Sequence, residues 1–111
     1  MEDYRKNLQM NWTMKRHYLA LLKRGPQIGQ PAAEAEKIQL AHLWHIRRMM
    51  DEGKMLAAGP MMNTGELRGI LVLNTESIEE AKAWAEADPA VKAGRLIVEI
   101  HPWLVAKEVW H

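Results

Sequence analysis

Between Ala35 and Met50 the apolar side chains recur at steps of three and four residues. Ala35, Ile38, Ile46 and Met49 fall on one face, with Leu43 and Met50 at its edge. At about 100° per residue this spacing predicts an amphipathic helix, with Arg47 opposite the stripe and Lys37 and Arg48 on its flank. The centre of the stripe is held by His42, where Ile, Val or Leu would serve for packing, and His45 lies nearer the border. Pro31 is placed to open the helix, because its missing N–H would go unpaired there, and Gly53 to cap its C-terminus. The helix is therefore expected over 32–52.

Shorter apolar runs surround it. "HYLALLKRG" (17–25) reads as a strand running into a turn, followed by a loop broken by Pro26, Gly29 and Pro31. "KMLAAGPMM" (54–62) reads as a second strand whose Gly59-Pro60 suits an edge or a strand end, since proline donates nothing to a ladder. "NTGEL" turns the chain into a third strand over 68–75, rich in Ile, Leu and Val. Ser77 with Glu80 three residues on makes a capping box for a second helix carrying Ile78, Ala81, Trp84 and Ala85, which Asp88-Pro89 ends. "GRLIVEIHPW" (94–103) is the last strand, closed by Pro102, and the tail beyond it fits a short strand or helix.

The order β-α-β-β-α-β, with right-handed crossovers, gives an α+β, ferredoxin-like antiparallel sheet with both helices on one face. Residues 17–103 form that domain, with 1–16 an N-terminal extension and 104–111 a C-terminal tail. In "LIVEI" and "ILVL" neither alternating set of side chains is consistently polar, so both sheet faces call for burial. Two domains back to back would bury the second face, which predicts a homodimer through the open sheet face, a dimeric α+β barrel.

Composition narrows the chemistry. The 111 residues suit one compact domain. A net charge of +1 gives no field that draws the chain to nucleic acid or to an anionic membrane. With no cysteine there is no disulfide, thiolate zinc site or cysteine nucleophile. No apolar run spans a bilayer, and "MEDYRKNLQMNWTMKR" lacks the apolar centre of a signal peptide, so a cytoplasmic location is expected. Met10 and Met14 offer alternative starts. Phosphate loops, dinucleotide glycine fingerprints and nucleophilic Ser arrangements are absent, and the one serine, Ser77, serves as a cap. What is left is acid–base work without a covalent intermediate on Ser or Cys.

The strings "AHLWHIRRMMDEGKMLAAGPM" and "LRGILVLNTESIEEAKAWAEADPAVKAGRLIVEIHPW" carry an ordered set of His-Leu, Gly, Ala-Gly-Pro, Ala-Asp-Pro and Ala-Gly. In this the chain resembles the YCII-related (YciI-like) proteins over roughly residues 18–103. The resemblance implies a dimeric α+β barrel, a fold shared with muconolactone isomerases and small barrel monooxygenases. It also implies a His–Asp pair as the active site, and a chlorinated hydroquinone dehydrochlorinase is among the relatives. On this chain the pair is His42 and Asp88, with Gly59 and Pro60 in the matching Ala-Gly-Pro segment.

Each candidate has a plainer reading. His42 is either a core histidine with both ring nitrogens satisfied or a general base near its working pH, oriented by a carboxylate. Asp88 before Pro89 is either a local turn or that carboxylate, and spacing alone does not bring it to His42. Gly59, Pro60 and His45 are expected to border the pocket. His17 and His101 are expected near one another on neighbouring strands with Trp103, as sheet-edge polar residues rather than metal ligands; no third ligand is evident, and no metal or cofactor is expected. Lys23 and Arg24 are either a solvated turn or a hold on an anionic group. Leu40 and Trp44 project from the polar flank of the helix, toward the N-terminal segment or another dimer. The eight Met residues fill irregular core space. The reading that follows is acid–base chemistry, isomerisation or elimination, on a small cyclic or aromatic substrate. The alternative is a dimer that binds or senses a small metabolite without chemistry.

Overall fold

The computed structural model describes residues 13–107. Most of the expected N-terminal extension, with Met10, and the end of the tail lie outside the described residues. The elements are β1 (Met14–Arg24), α1 (Ala32–Asp51), β2 (Met55–Pro60), β3 (Leu67–Leu73), α2 (Ile78–Glu86), α3 (Pro89–Lys92) and β4 (Leu96–Ala106). The strands form one sheet in the order β2-β3-β1-β4, and every neighbouring pair is antiparallel. This is the ferredoxin-like α+β arrangement expected from the order of the elements.

Two strand limits differ from the sequence reading. β1 begins at Met14 rather than His17, and β4 runs to Ala106 through Pro102, which pairs with Tyr18. Pro102 does not close the strand because β4 is an edge, where one side of the backbone has no neighbour to bond. Unbroken pairing from Met14↔Ala106 to Arg24↔Leu96 thus extends β1 and β4 together. Pro60 ends β2, the other edge strand.

The helix limits follow local chemistry. Pro31 stands at the N-cap of α1, and Gly53 follows its C-terminus at φ 72°, with its N–H donating to the Met50 carbonyl. Ser77 Oγ accepts from the Glu80 N–H at 3.1 Å, as a capping box requires. The Glu80 carboxylate, however, goes to Lys54 Nζ at 2.8 Å, tying α2 to the start of β2. That pairing holds the Glu80 carboxyl below its usual range and the Lys54 ammonium above its own. Asp88-Pro89 ends α2 and also starts α3, with Asp88 as N-cap and Pro89 in its first turn.

Alternation along β1 sorts the layers. Tyr18, Ala20 and Leu22 point to the helices and join Met49, Met55, Leu71, Leu73 and Ala81 in the core. His17, Leu19, Leu21 and Lys23 point to the other face, with Ile70 and Val72 of β3 and Ile97, Glu99, His101 and Trp103 of β4. That face is apolar along its middle and ionic along β4, where Glu99 meets both Lys23 and His101.

Candidate active site

Asp88 reaches the site because α3, which it caps, packs against α1. Its Oδ1 accepts from the Ala90 N–H at 2.9 Å, which caps α3 and fixes the carboxylate. Its Oδ2 lies 2.6 Å from His42 Nδ1 on α1. Both groups are buried: Asp88 is 2% and His42 8% exposed. A carboxylate at Nδ1 favours the tautomer with the proton on that nitrogen, leaving Nε2 as the acceptor.

His42 forms part of the wall of a cavity of about 670 Å³, a size that fits a small organic ligand. Gln39, His42, Leu43 and Ile46 of α1 stand over Leu22, Leu71 and Leu96 of the sheet. The stripe that packs α1 thus also lines the cavity. Ala58, Gly59 and Pro60 border it from β2, so the two residues expected there are at its wall. Ala90, whose N–H holds Asp88, also lines it.

One side of the cavity is the end of the sheet where β1 finishes and β3 and β4 begin, and there Arg24 and Arg68 are exposed and Arg95 half-buried. Arg24, Arg68 and Arg95 line it there. Sequence reasoning singled out Arg24 but missed Arg68 and Arg95. Their available signal was position: each flanks a strand end, and the strand order brings those three ends side by side. Arg68 also depends on an irregularity. Leu22 pairs with Gly69 and Lys23 with Leu67, so Arg68 is an extra residue in the ladder, a device that re-aims a side chain.

The remaining candidates lie elsewhere. His45 does not line this cavity; three residues beyond His42 on a helix, it is turned toward α2. Its Nε2 lies 2.6 Å from the Trp84 carbonyl, and its ring packs on the Trp84 ring at a centroid distance of 5.7 Å. His17 and His101 share the open sheet face, opposite Trp103 and Leu19 respectively. His17 is buried, while His101 is exposed and hydrogen-bonded to Glu99. Burial, helped by the charge of Lys15, pushes the His17 pKa down, against a hydrogen bond with the Leu73 backbone. Lys23 Nζ pairs with Glu99 on the open face, away from the cavity. Leu40 and Trp44 border a shallow groove with Leu43 and Arg47 on the exposed side of α1, and Trp44 is 68% exposed. Among the described residues no three His, Asp or Glu side chains converge as a metal site, and no helix is long and apolar enough to cross a membrane.

Comparison with known protein families matches residues 17–104 to the YCII-related domain. Protein YciI of Escherichia coli O6:H1 and protein YciI of Shigella flexneri are each 38% identical to the chain over 65 residues. That alignment spans 51% of this chain and 66% of each relative, a little under two thirds of its length. Among solved structures, the 5-chloro-2-hydroxyhydroquinone dehydrochlorinase (TftG) of Burkholderia phenoliruptrix, in complex with 2,5-dihydroxybenzoquinone, superposes with a TM-score of 0.57. It is 21% identical, and the match covers 82% of this chain and 97% of that one. At that identity the likeness is one of fold.

Proposed function

The chain belongs to the YCII-related family, and on that premise we propose that it is a small-molecule enzyme whose His42–Asp88 pair performs general acid–base chemistry. The observation that carries this reading is a buried carboxylate at Nδ1 of a histidine whose ring borders a ligand-sized cavity. Nε2 takes a proton from a C–H or O–H of the bound substrate. The electron pair left behind either expels a leaving group, which is elimination, or shifts and is reprotonated at another atom by the imidazolium, which is isomerisation. Asp88 keeps the ring oriented and stabilises the imidazolium that forms. The solved dehydrochlorinase of similar fold acts on a chlorinated hydroxyhydroquinone, which makes small substituted rings with a leaving group the first substrates to try. Gly59 and Pro60 shape the wall against the ring. His45 serves to join α1 to α2. The working unit is a homodimer through the open sheet face.

The test joins activity to the state of the ring. Wild type, His42→Ala and Asp88→Ala are assayed against chlorinated hydroxyhydroquinones and lactones, and the His42 tautomer is read from its imidazole 15N shifts. Turnover lost in both variants while they stay folded, with His42 protonated at Nδ1 in the wild type, supports the dyad. A neutral ring with its proton on Nε2 in the wild type overturns it. Unaltered turnover in His42→Ala does the same. Saturable binding without turnover in the wild type favours the metabolite-binding alternative.

A further inference from the structure

Three arginines line the exposed rim of the cavity that His42 borders, and the dyad gives them no task. Arg24 ends β1, Arg68 is the extra residue of β3, and Arg95 precedes β4. No ion pair engages any of the three among the described residues, whereas Arg47 on the exposed side of α1 has Asp51 at 3.1 Å. A surface that spreads its charges usually intersperses signs, so three cations unaccompanied at one rim carry information.

Their placement is built in by the backbone. Arg24 pairs with Leu96 across the ladder, and its N–H donates to the Glu66 carbonyl at 2.8 Å, drawing in the chain that leads to Arg68. The next residue, Gly25, donates to the Arg95 carbonyl at 2.8 Å. A Cβ on Gly25 would stand 2.1 Å from the Gly94 carbonyl oxygen, so the close approach of the two strand ends requires glycine. Arg95 is further oriented by Gln30, whose Oε1 accepts from its Nη1 at 2.6 Å and whose Nε2 donates to the Ala93 carbonyl. Arginine presents a planar fork that meets an oxyanion with two parallel N–H donors.

The rest of the wall is apolar: Leu22, Ile28, Ile46, Leu71 and Leu96 among it. We propose that Arg24, Arg68 and Arg95 form an anion-recognition rim, and that the site takes a small organic acid. Its apolar ring or chain lies against those side chains, and its carboxylate meets the guanidinium groups. The polar end is held at the rim and the reacting atom is presented to His42. This rests on the acid–base reading above and adds the substrate class to it.

The probes are benzoate, phthalate, neutral benzamide and inorganic phosphate, titrated into the full chain with binding followed by calorimetry and by the arginine Nε–H NMR signals. Benzoate is expected to bind, and phthalate more tightly. Benzamide of the same shape is expected to bind at least about tenfold more weakly, the loss of one charge-assisted contact. Arg24→Gln, Arg68→Gln and Arg95→Gln are each expected to weaken phthalate by about tenfold, and Gln30→Ala by less. Added salt should weaken it further. Arg47→Gln, on the exposed side of α1 and outside the cavity lining, should keep phthalate affinity within about threefold. Equal binding of benzoate and benzamide overturns the proposal, as does the absence of saturable carboxylate binding or full affinity in all three arginine variants. Tighter binding of phosphate than of either carboxylate replaces the organic acid with a phosphorylated ligand and also overturns it. These failures leave the His42 tautomer and its effect on turnover untouched, so they are distinguishable from a failure of the dyad.

Discussion

His42 and Asp88 are 46 residues apart in the chain, and Nδ1 of one lies 2.6 Å from Oδ2 of the other. The contact joins α1 to the α2–α3 junction, so one bond fastens three helices. Asp88 has a second duty through Oδ1, which caps α3.

These two duties predict unequal costs. Asp88→Ala strands a buried imidazole nitrogen and the Ala90 N–H, and should cost about 2–4 kcal/mol, the sum of an unsatisfied buried group and a lost cap. Asp88→Asn keeps a side-chain oxygen for the cap and should cost less, about 1–2 kcal/mol. Urea denaturation of the two variants checks the order, and equal losses would show that the cap contributes nothing. A double-mutant cycle of His42→Ala with Asp88→Ala should give a coupling of about 1 kcal/mol or more, as for residues in direct contact.

Gly25→Ala should be among the more damaging small substitutions. The methyl group would meet the Gly94 carbonyl at 2.1 Å and the Arg95 backbone at 2.8 Å. Backbone on both sides leaves little to give, so the strand ends must part at a cost of about 1–3 kcal/mol. The variant should also lose phthalate affinity, because Arg24 and Arg95 flank the displaced segment. Gly29→Ala in the same loop meets nothing within 4 Å and should stay within about 0.5 kcal/mol of wild type.

The order of the elements and both main helices were legible because they rest on local signals: periodic apolar positions, the Ser77 cap and the Gly53 stop. The limits of β1 and β4 were not, since a proline closes a strand only where its N–H is needed, and edge position is a property of the whole sheet. Asp88-Pro89 was read as the end of a helix, although an N-cap Asp with Pro after it equally starts one. His42 stood out as an ionisable ring on an apolar stripe. Its link to Asp88 came from family resemblance, because no spacing joins two residues on different helices. Arg68 and Arg95 carry no periodicity, and only strand order and an extra ladder residue place them at one rim.

The open sheet face predicts its own partner, a second copy. Leu19, Leu21 and Ile70 form its middle, and Ile97 at its edge is 50% exposed. Burying such a face back to back stabilises by about 25 cal/mol for each Å² of apolar surface covered. Light scattering of the wild type should give twice the chain mass, and Ile97→Lys should shift the protein toward the monomer at micromolar concentration. A wild-type monomer would refute the back-to-back pairing.

Acid should weaken the fold through His17. Its buried ring has a pKa below the ordinary 6.5, because burial and the Lys15 charge both disfavour the imidazolium, and the Leu73 hydrogen bond only partly offsets them. The unfolded chain therefore binds a proton more readily than the folded one between the two pKa values. The stability from a neutral His17 is complete above the unfolded value and falls as pH drops below about 6.5. Unlike Asp88, this residue is far from the cavity, so its titration should move melting temperature without moving phthalate affinity. Melting curves at about pH 7.5 and about pH 5.5 should show a drop in the wild type that is smaller in His17→Leu, which has no proton to take up. An equal drop in both proteins would place the acid sensitivity elsewhere. Glu99 is not that source: Lys23 and His101 hold its carboxyl below the usual range, so its contribution fades only below the ordinary carboxylate value, outside this window.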